Sequence, residues 1–473
     1  MGTFMRLKAT HRLTKNIPED HSIVKKAIVF LSSIVMLAGP FSLLEASSFL
    51  MGEVRTVCPY GAQDAARSPA LITRIPTGNA FGVNANYTFS ARTNMRIRSV
   101  QDLHTSIHSP IYEWYVGHLS YIRKIQHAAV SIDFGVSFEN KQISTRSLFY
   151  DITPNLWGVS IDSESNQTIS YFGMISAAYS VTSHHAIGIQ AAVNYRSMNS
   201  AVRHKHYATR NIPPPPPEQW SQMSNLNKED HLGIMPAIGY HANIPPAEFG
   251  IIISPGVYGW RKEKKSRRGH IINDWSFVDI TNYSSGSLPF ESLTMSGPIL
   301  TAGSLVRTSG GTATCLEFEI TLPSVFRPNT LVPVNPFLDL SSKSTGTRIT
   351  IKSRPSFSLR GGFEIPINST MSAGLGAGFS YNSNVSSVQA PLSPDPFDIH
   401  YNHNNSFTIF GTAGMDVIVQ NNAFTLGTKI SYFRQKYEST LRSIKTFDQE
   451  LHNDISKTRL IILQLFVIAS AGF

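Results

Sequence analysis

The chain has 473 residues, which is enough for one large domain or for about two to three ordinary ones. Charged side chains make up only 15% of it, against about 25% in a typical soluble domain, although the formal net charge is +10. The mean hydropathy of −0.08 is too polar for a bundle of transmembrane helices. Few charges without long apolar runs predict a protein that contacts a membrane through alternating strands.

One continuous apolar segment lies near the N-terminus, at residues 27–44 (AIVFLSSIVMLAGPFSLL). Two lysines precede it at 25–26, and the small residues Ala-Ser-Ser follow it at 46–48. A basic flank, an apolar stretch and a small-residue exit are typical of a secretory signal peptide. We therefore assign residues 1–46 to a signal peptide with an extended n-region. An uncleaved signal anchor is the alternative.

Strand-like alternation of apolar and polar residues follows along the rest of the chain. It is clearest at 80–92 (AFGVNANYTFSAR), 127–140 (HAAVSIDFGVSFEN) and 370–382 (TMSAGLGAGFSYN). The same pattern is weaker at 111–123, 168–181, 184–196, 231–243, 248–260, 296–308, 313–323, 350–365, 405–419, 422–437 and 459–473. Segments of about 11 to 16 residues with one apolar side are long enough to cross a bilayer at a tilt. The sequence thus predicts about fourteen membrane-spanning strands.

The connections between these segments alternate without exception between long and short. Long ones have roughly 18 to 35 residues and short ones roughly 2 to 4, as in outer-membrane barrels with long extracellular loops and short periplasmic turns. The short ones have turn chemistry, as in SGGT at 309–312 and QNN at 420–422. The predicted fold is an all-β, antiparallel transmembrane β-barrel over residues 80–473. We expect it in the outer membrane of a diderm bacterium, with both termini periplasmic.

The chain ends on an alternating strand, IILQLFVIASAGF at 461–473. A barrel must pair its last strand with its first, because an open edge is not tolerated in lipid. Outer-membrane proteins commonly end on Phe, and this similarity implies that Phe473 is part of the signal read by the barrel-assembly machinery. That machinery and outer-membrane lipid are therefore expected partners, and we expect the protein to be a monomer.

Residues 47–79 precede the first predicted strand and contain Ser68-Pro69-Ala70-Leu71. Here the chain resembles the FadL-like family, the outer-membrane transporters of long-chain fatty acids and other hydrophobic compounds. Members carry an N-terminal hatch with an Asn-Pro-Ala signature before fourteen strands, and Ser68 stands where the family has Asn. The resemblance implies that 47–79 form a hatch in the lumen and that a hydrophobic small molecule is the substrate. A periplasmic linker without function is the alternative.

Two of the longest predicted loops contain unusual sequences. The third holds IPPPPPEQW at 212–220, which suits a stiff spacer or a polyproline ligand. The fourth holds six cationic residues, here called the basic run: Arg261, Lys262, Lys264, Lys265, Arg267 and Arg268. Their predicted exterior position excludes cytosolic nucleic acid as a partner.

The basic run is followed in the same predicted loop by the apolar side chains of Trp275 and Phe277. In the FadL-like family, outer loops three and four build a hydrophobic acceptor groove. From the charge and apolarity of this segment, we expect the basic run to attract a carboxylate and the two aromatic residues to hold its alkyl tail. A solvated loop that touches lipid head groups is the alternative.

The two cysteines lie in a compartment that is oxidising if the signal is cleaved. Cys315 begins the ninth predicted strand near the periplasmic rim, on the lumen side with Glu317 and Glu319. Cys58 belongs to the predicted hatch, which enters from the same rim. The pair is a candidate disulfide that would tether the hatch, provided that the Cα atoms come within about 7 Å. Two unpaired thiols are the alternative.

Sequence signatures of catalysis and of cofactor binding are absent. No P-loop, no dinucleotide fingerprint and no Ser/His/acid grouping stands out, and the 16 histidines are scattered. The cysteines lack the spacing of metal ligands. We therefore expect no enzyme, no cofactor and no metal. The alternatives to a hydrophobic-substrate channel are a general diffusion porin and a surface-exposed adhesin on a barrel scaffold.

Overall fold

A computed structural model of the protein describes residues 51–57, 68–75, 78–98, 104–150, 156–210, 219–272, 285–286, 290–323, 325–326, 348–391, 396–419, 422–443 and 450–472. The predicted signal peptide lies outside this part of the chain and stays a prediction.

The described residues form one short 3-10 helix and nineteen strands. The helix is η1 (Leu71–Arg74). The strands are β1 (Gly78–Arg98), β2 (His104–Ile125), β3 (Ala128–Tyr150), β4 (Leu156–Ser180), β5 (His185–Arg210), β6 (Gln219–Ile244), β7 (Ala247–Ser254), β8 (Tyr258–Ile272), β9 (Ser285–Gly286), β10 (Phe290–Met295), β11 (Ile299–Arg307), β12 (Ala313–Thr321), β13 (Val325–Phe326), β14 (Arg348–Ser353), β15 (Ser356–Asn368), β16 (Met371–Pro391), β17 (Pro396–Val419), β18 (Asn422–Ser443) and β19 (Glu450–Gly472). Within the described ranges, no helix is both long enough and apolar enough to span a membrane.

All these strands belong to one antiparallel sheet that closes on itself. Strand β1 pairs with β2 on one side and with β19 on the other, from Ala80 opposite Gly472 to Arg98 opposite Ile455. Ten wall strands are continuous, namely β1–β6 and β16–β19. Four more consist of segments that share one position in the wall: β7 with β8, β9 with β10 and β11, β12 with β13, and β14 with β15. The result is a closed barrel of fourteen wall strands, which confirms the predicted fold class.

Side chains along the wall strands alternate between inward-facing and outward-facing positions, as the apolar–polar alternation of the sequence predicted. On β3, the side chains of Ser131 and Asp133 are buried and face inward. Their neighbours on the same strand are large, exposed and outward-facing: Val130, Ile132, Phe134, Val136 and Phe138. Strand β19 repeats the pattern, with Gln464 buried between the exposed Leu463 and Leu465. Together the outward faces form an apolar belt around the barrel, which is the surface that lipid tails require.

Many wall strands continue well past their predicted ends on the side of the long connections. Strand β5 ends at Arg210 and β6 begins at Gln219, so most of the third predicted loop is strand. The basic run was predicted to lie in the fourth loop, but it belongs to β8, which pairs with β6 as far as Ile272 opposite Trp220. The prediction was wrong because apolar–polar alternation marks a strand only where one face meets lipid. Backbone hydrogen bonds continue beyond the belt, where both faces are polar.

Four neighbouring wall strands are interrupted in a row, here called the proline breaks. Each interruption contains one proline: Pro255, Pro298, Pro323 and Pro355. Proline has no N–H to donate to a ladder. Local hydrogen bonds bridge the breaks instead, from Val257 N to Ser296 Oγ at 2.7 Å and from Leu322 N to Pro298 O at 2.8 Å. Three predicted strands run across a break and are wrong in their continuity: 248–260, 296–308 and 350–365.

Candidate functional site in the barrel lumen

Residues 51–57 and 68–75, here called the N-terminal segment, lie inside the barrel near the short turns. They contact inward-facing positions on strands from β5 to β16. The large apolar side chains of the segment are buried: Met51, Val54, Val57, Leu71, Ile72 and Ile75. Burying such a side chain fully contributes about 1.5–3 kcal/mol. Packing therefore contributes to holding the segment against the inner wall.

The stretch 68–75 contains the predicted signature Ser68-Pro69-Ala70-Leu71 and packs against β2 to β5. Leu71 N donates to Ser68 O at 3.1 Å as the chain enters η1. The apolar side chains of η1 and Ile75 pack in one cluster with Ile122 and with small wall residues: Ala80, Ala129, Ala178 and Ala423. Alanine at these inward positions leaves room for the helix, so the wall is shaped around this stretch.

The stretch 51–57 packs against the opposite side of the lumen. Met51, Val54 and Val57 form a second buried cluster with wall residues that include Leu305 and Cys315. The thiol of Cys315 faces inward and donates to Met51 O at 3.5 Å. Cys58, its candidate disulfide partner, lies outside the described residues. The structure therefore places one of the two sulfur atoms beside the segment, and the bridge itself stays a prediction.

Glycines on six wall strands bring the N-terminal segment into direct contact with the wall backbone. We call them the glycine track: Gly188, Gly239, Gly250, Gly303, Gly362 and Gly376. A Cβ added at Gly362 would lie 2.7 Å from Met51 Cα, and one at Gly239 would lie 2.8 Å from Pro69 Cγ. At Gly250 it would overlap the carbonyl group of Thr56. Apolar–polar alternation does not reveal this track, although glycine inside a strand often marks a close backbone approach.

Ion pairs connect the N-terminal segment to the wall. Arg360 Nη1 lies 3.2 Å from Glu317 Oε1, and Arg360 Nη2 lies 3.5 Å from Glu319 Oε1. Arg55 of the segment pairs with Glu319 at 3.6 Å. On the other side, Lys429 Nζ lies 2.8 Å from Glu53 Oε1 and 4.2 Å from the centre of the Phe410 ring. Glu53 and Arg55 thus carry opposite charges in the stretch 51–57, and each pairs with an oppositely charged residue of the wall.

Other inward surfaces of the wall are mixed in polarity. Met174 and Ala192 form an apolar cluster with Phe172 and Met235, and Ser120 Oγ donates to Asp133 Oδ1 at 2.6 Å beside it. Such a lining can contact an apolar body and hydrogen-bond a polar end. Among the described residues, no group of three or more His, Cys, Asp or Glu side chains could hold a metal ion.

The predicted exterior capture site is only partly within the described residues. The backbone of the basic run forms part of β8, where Lys262 is exposed and lies opposite Asp230 of β6. Trp275, Phe277 and Phe473 lie outside the described residues. The capture site and the C-terminal assembly signal therefore stay predictions.

No family model matches the sequence, and no curated protein is significantly similar to it. Among solved structures, a FadL homologue from Pseudomonas aeruginosa has 12% identity and a TM-score of 0.50, covering 92% of this chain and 100% of its own. The Pseudomonas putida toluene transporter TodX has 12% identity and a TM-score of 0.49, covering 92% and 99%. The Ralstonia pickettii toluene transporter TbuX has 10% identity and a TM-score of 0.47, covering 93% and 100%. The FadL homologue confirms, at the level of the fold, the resemblance seen in the sequence, and the chain is a fourteen-stranded barrel of FadL-like architecture.

Proposed function

We propose that the protein is an outer-membrane channel for hydrophobic compounds, closed by the N-terminal segment acting as a hatch. The observation that carries the proposal is the placement of that segment across the inside of a closed barrel. A membrane-spanning barrel of fourteen strands has an interior wide enough for a solute path unless something fills it. Here residues 51–57 and 68–75 fill part of it, so the path for polar solutes is restricted.

The proposed substrate is a hydrophobic small molecule such as a long-chain fatty acid. The FadL-like fold supports this class, and so does a lumen lining in which Phe172, Met174 and Met235 lie near hydrogen-bonding groups. In this proposal the basic run gives the carboxylate a first contact outside the barrel. No enzymatic step is part of the proposal.

The orientation and assembly of the protein follow from the same proposal. The short turns lie at one end of the barrel together with the start of β1 and the end of β19, and we assign this end and both chain termini to the periplasm. We propose that the assembly machinery reads Phe473 there. Since the β1–β19 seam closes the barrel within one chain, we propose that the working unit is a monomer.

Liposome swelling with sugars, together with uptake of a fluorescent fatty acid, tests the proposal. The intact protein should admit sugars slowly and take up the fatty acid, whereas a variant lacking residues 51–75 should admit sugars rapidly. The variant must show folded-barrel migration on an unheated gel. Rapid sugar entry through the intact protein would refute the hatch and would support the general porin. If neither ligand enters, the channel itself is refuted and the adhesin alternative remains.

A further inference from the structure

We propose that Glu317 is the positioning residue of the hatch, because its carboxylate binds the backbone of the N-terminal segment. The proposal rests on the proposed function, in which that segment closes the channel. In this proposal one wall side chain fixes the position of the segment's backbone, and a change in that side chain opens the path through the lumen.

The carboxylate of Glu317 is buried, with only 1% of the residue exposed, and it accepts hydrogen bonds at both oxygens. Oε2 accepts from Arg55 N at 2.7 Å, from Thr56 N at 2.9 Å and from Thr56 Oγ1 at 2.9 Å. Oε1 accepts from Arg360 Nη1 at 3.2 Å. Three of these four bonds come from the segment, and two come from consecutive backbone N–H groups. Paired backbone donors of this kind form a site for an anion.

The charge of Glu317 is balanced within the wall and the segment. Arg360 lies opposite Glu317 in the β12–β15 ladder and also pairs with Glu319, which in turn pairs with Arg55. Two carboxylates and two guanidinium groups thus alternate in one cluster. A buried charge is tolerated only when it is paired and hydrogen-bonded. Glu317 therefore belongs to a neutral unit whose geometry depends on the segment being in place.

The backbone conformation just before Thr56 is unfavourable and has to be stabilised by contacts with the wall. Glu53 has a φ of 62°, in the left-handed region that residues other than glycine rarely adopt. Lys429 pairs with the side chain of Glu53, whereas Glu317 binds main-chain groups two and three residues later. A main-chain contact holds the segment whatever side chains it carries. This distinguishes the contact made by Glu317 from the side-chain pair made by Lys429.

Glutamine has the shape of glutamate but cannot replace it here. All four partners of Glu317 are donors, and a glutamine amide has one accepting oxygen and one donating nitrogen. With its oxygen toward the segment, the amide keeps those three bonds only as neutral ones, which are roughly half as strong as bonds to a carboxylate, and its NH₂ group meets Arg360. With its NH₂ group toward the segment, the bonds from the two backbone N–H groups are lost. Glu317→Gln should therefore favour release of the segment.

Single-channel conductance in planar lipid bilayers tests the proposal with full-length protein. Glu317→Gln should raise the fraction of time spent conducting by about tenfold or more, because all three bonds to the segment lose the charge of the carboxylate. Thr56→Val removes one bond from the segment side without altering the wall, and it should give a smaller rise. The matched control is Glu248→Gln. That carboxylate is also buried and inward, but it pairs with His241 and Arg307 of the wall.

The outcomes separate this proposal from the proposed function. Each variant is first shown to be folded by its migration on an unheated gel, and Thr56→Val keeps the test valid if Glu317→Gln does not fold. If deletion of residues 51–57 opens the channel while neither Glu317→Gln nor Thr56→Val does, the positioning role is wrong and the hatch stands. If the deletion changes nothing either, the hatch itself is wrong. Equal opening by Glu317→Gln and Glu248→Gln would also overturn the role, because any buried wall carboxylate would then have the same effect.

Discussion

Arginine at Phe134 should destabilise the folded barrel much more than arginine at Phe138. Both phenylalanines are outward-facing residues of β3, and the outward series ends where polar Asn140 follows Phe138. From Ala128 to Phe138 the belt spans about ten residue steps of roughly 3.4 Å, which at a tilt near 40° gives about 26 Å of height. This agrees with an apolar band of about 25 Å in outer-membrane barrels.

The cost of each arginine follows from its depth in that band. Phe134 lies roughly four steps, or about 10 Å of height, inside the edge marked by Phe138. Arginine near the bilayer midplane costs about 2–4 kcal/mol and near the interface about 0–1 kcal/mol. The two variants lose the same aromatic ring, so the difference between them, about 2 kcal/mol, reports depth alone. Leu119 and Gly173 lie opposite Phe134 and offer an arginine no hydrogen-bonding side chain.

Equilibrium unfolding by guanidinium chloride in lipid vesicles measures this difference. Phe134→Arg should have the lower free energy of unfolding, with an unchanged dependence on denaturant. Equal losses at the two positions would refute the reasoning, since they would mean that β3 does not cross the apolar band at this depth. A larger loss at Phe138 would refute it as well.

Three further predictions concern the lumen and the basic run. Serine in place of all six residues of the basic run should lower fatty-acid binding, more at low salt than at high salt, because exposed charges are screened within about 10 Å at 0.1 M; unchanged binding would contradict the capture role. Mass mapping of unreduced peptides should find Cys58 linked to Cys315, and two free thiols would refute the tether. Gly376→Ala should displace the N-terminal segment and speed sugar entry into liposomes, because the added Cβ would overlap the segment backbone. Gly173→Ala is the control, since nothing lies within 4 Å of its Cβ position, and an equal effect of both alanines would exclude the steric explanation.

The number of wall strands could be predicted because lipid imposes the alternation directly on the sequence. Each of the fourteen predicted segments overlaps one wall strand. The strand extensions could not be predicted in the same way, since β5 and β6 continue into regions where neither face is apolar. The proline breaks also have a sequence signal, which is the proline inside each of three predicted strands. Pro255, Pro298 and Pro355 each lie inside a segment predicted as one continuous strand.

The candidate site was less accessible to sequence reasoning than the fold. Alternation along β12 was enough to place Cys315 and Glu317 on the inward side. It could not identify the partners of Glu317, because Arg360 is 43 residues away and Arg55 is 262 residues away. Contacts between an N-terminal segment and distant wall strands produce no periodic pattern of apolar and polar residues in the sequence. Within the strands themselves, the glycines are the signal that another backbone lies close to the wall.

The proline breaks have a consequence for the way the wall deforms. A closed β-barrel is stiff because each strand is hydrogen-bonded along its length to two neighbours. The four interruptions lie side by side in neighbouring strands, and we call this line of missing ladder bonds the crease. We expect β8 and β10, on one side of the crease, to be able to change their tilt while the ladder between β7 and β11, on the other side, stays intact. Amide protons next to the crease, such as that of Val257, should therefore exchange with solvent deuterium faster than those in the middle of β17 and β18, where the ladder is unbroken. We therefore expect the barrel to deform more easily in these four wall strands than around the rest of its circumference.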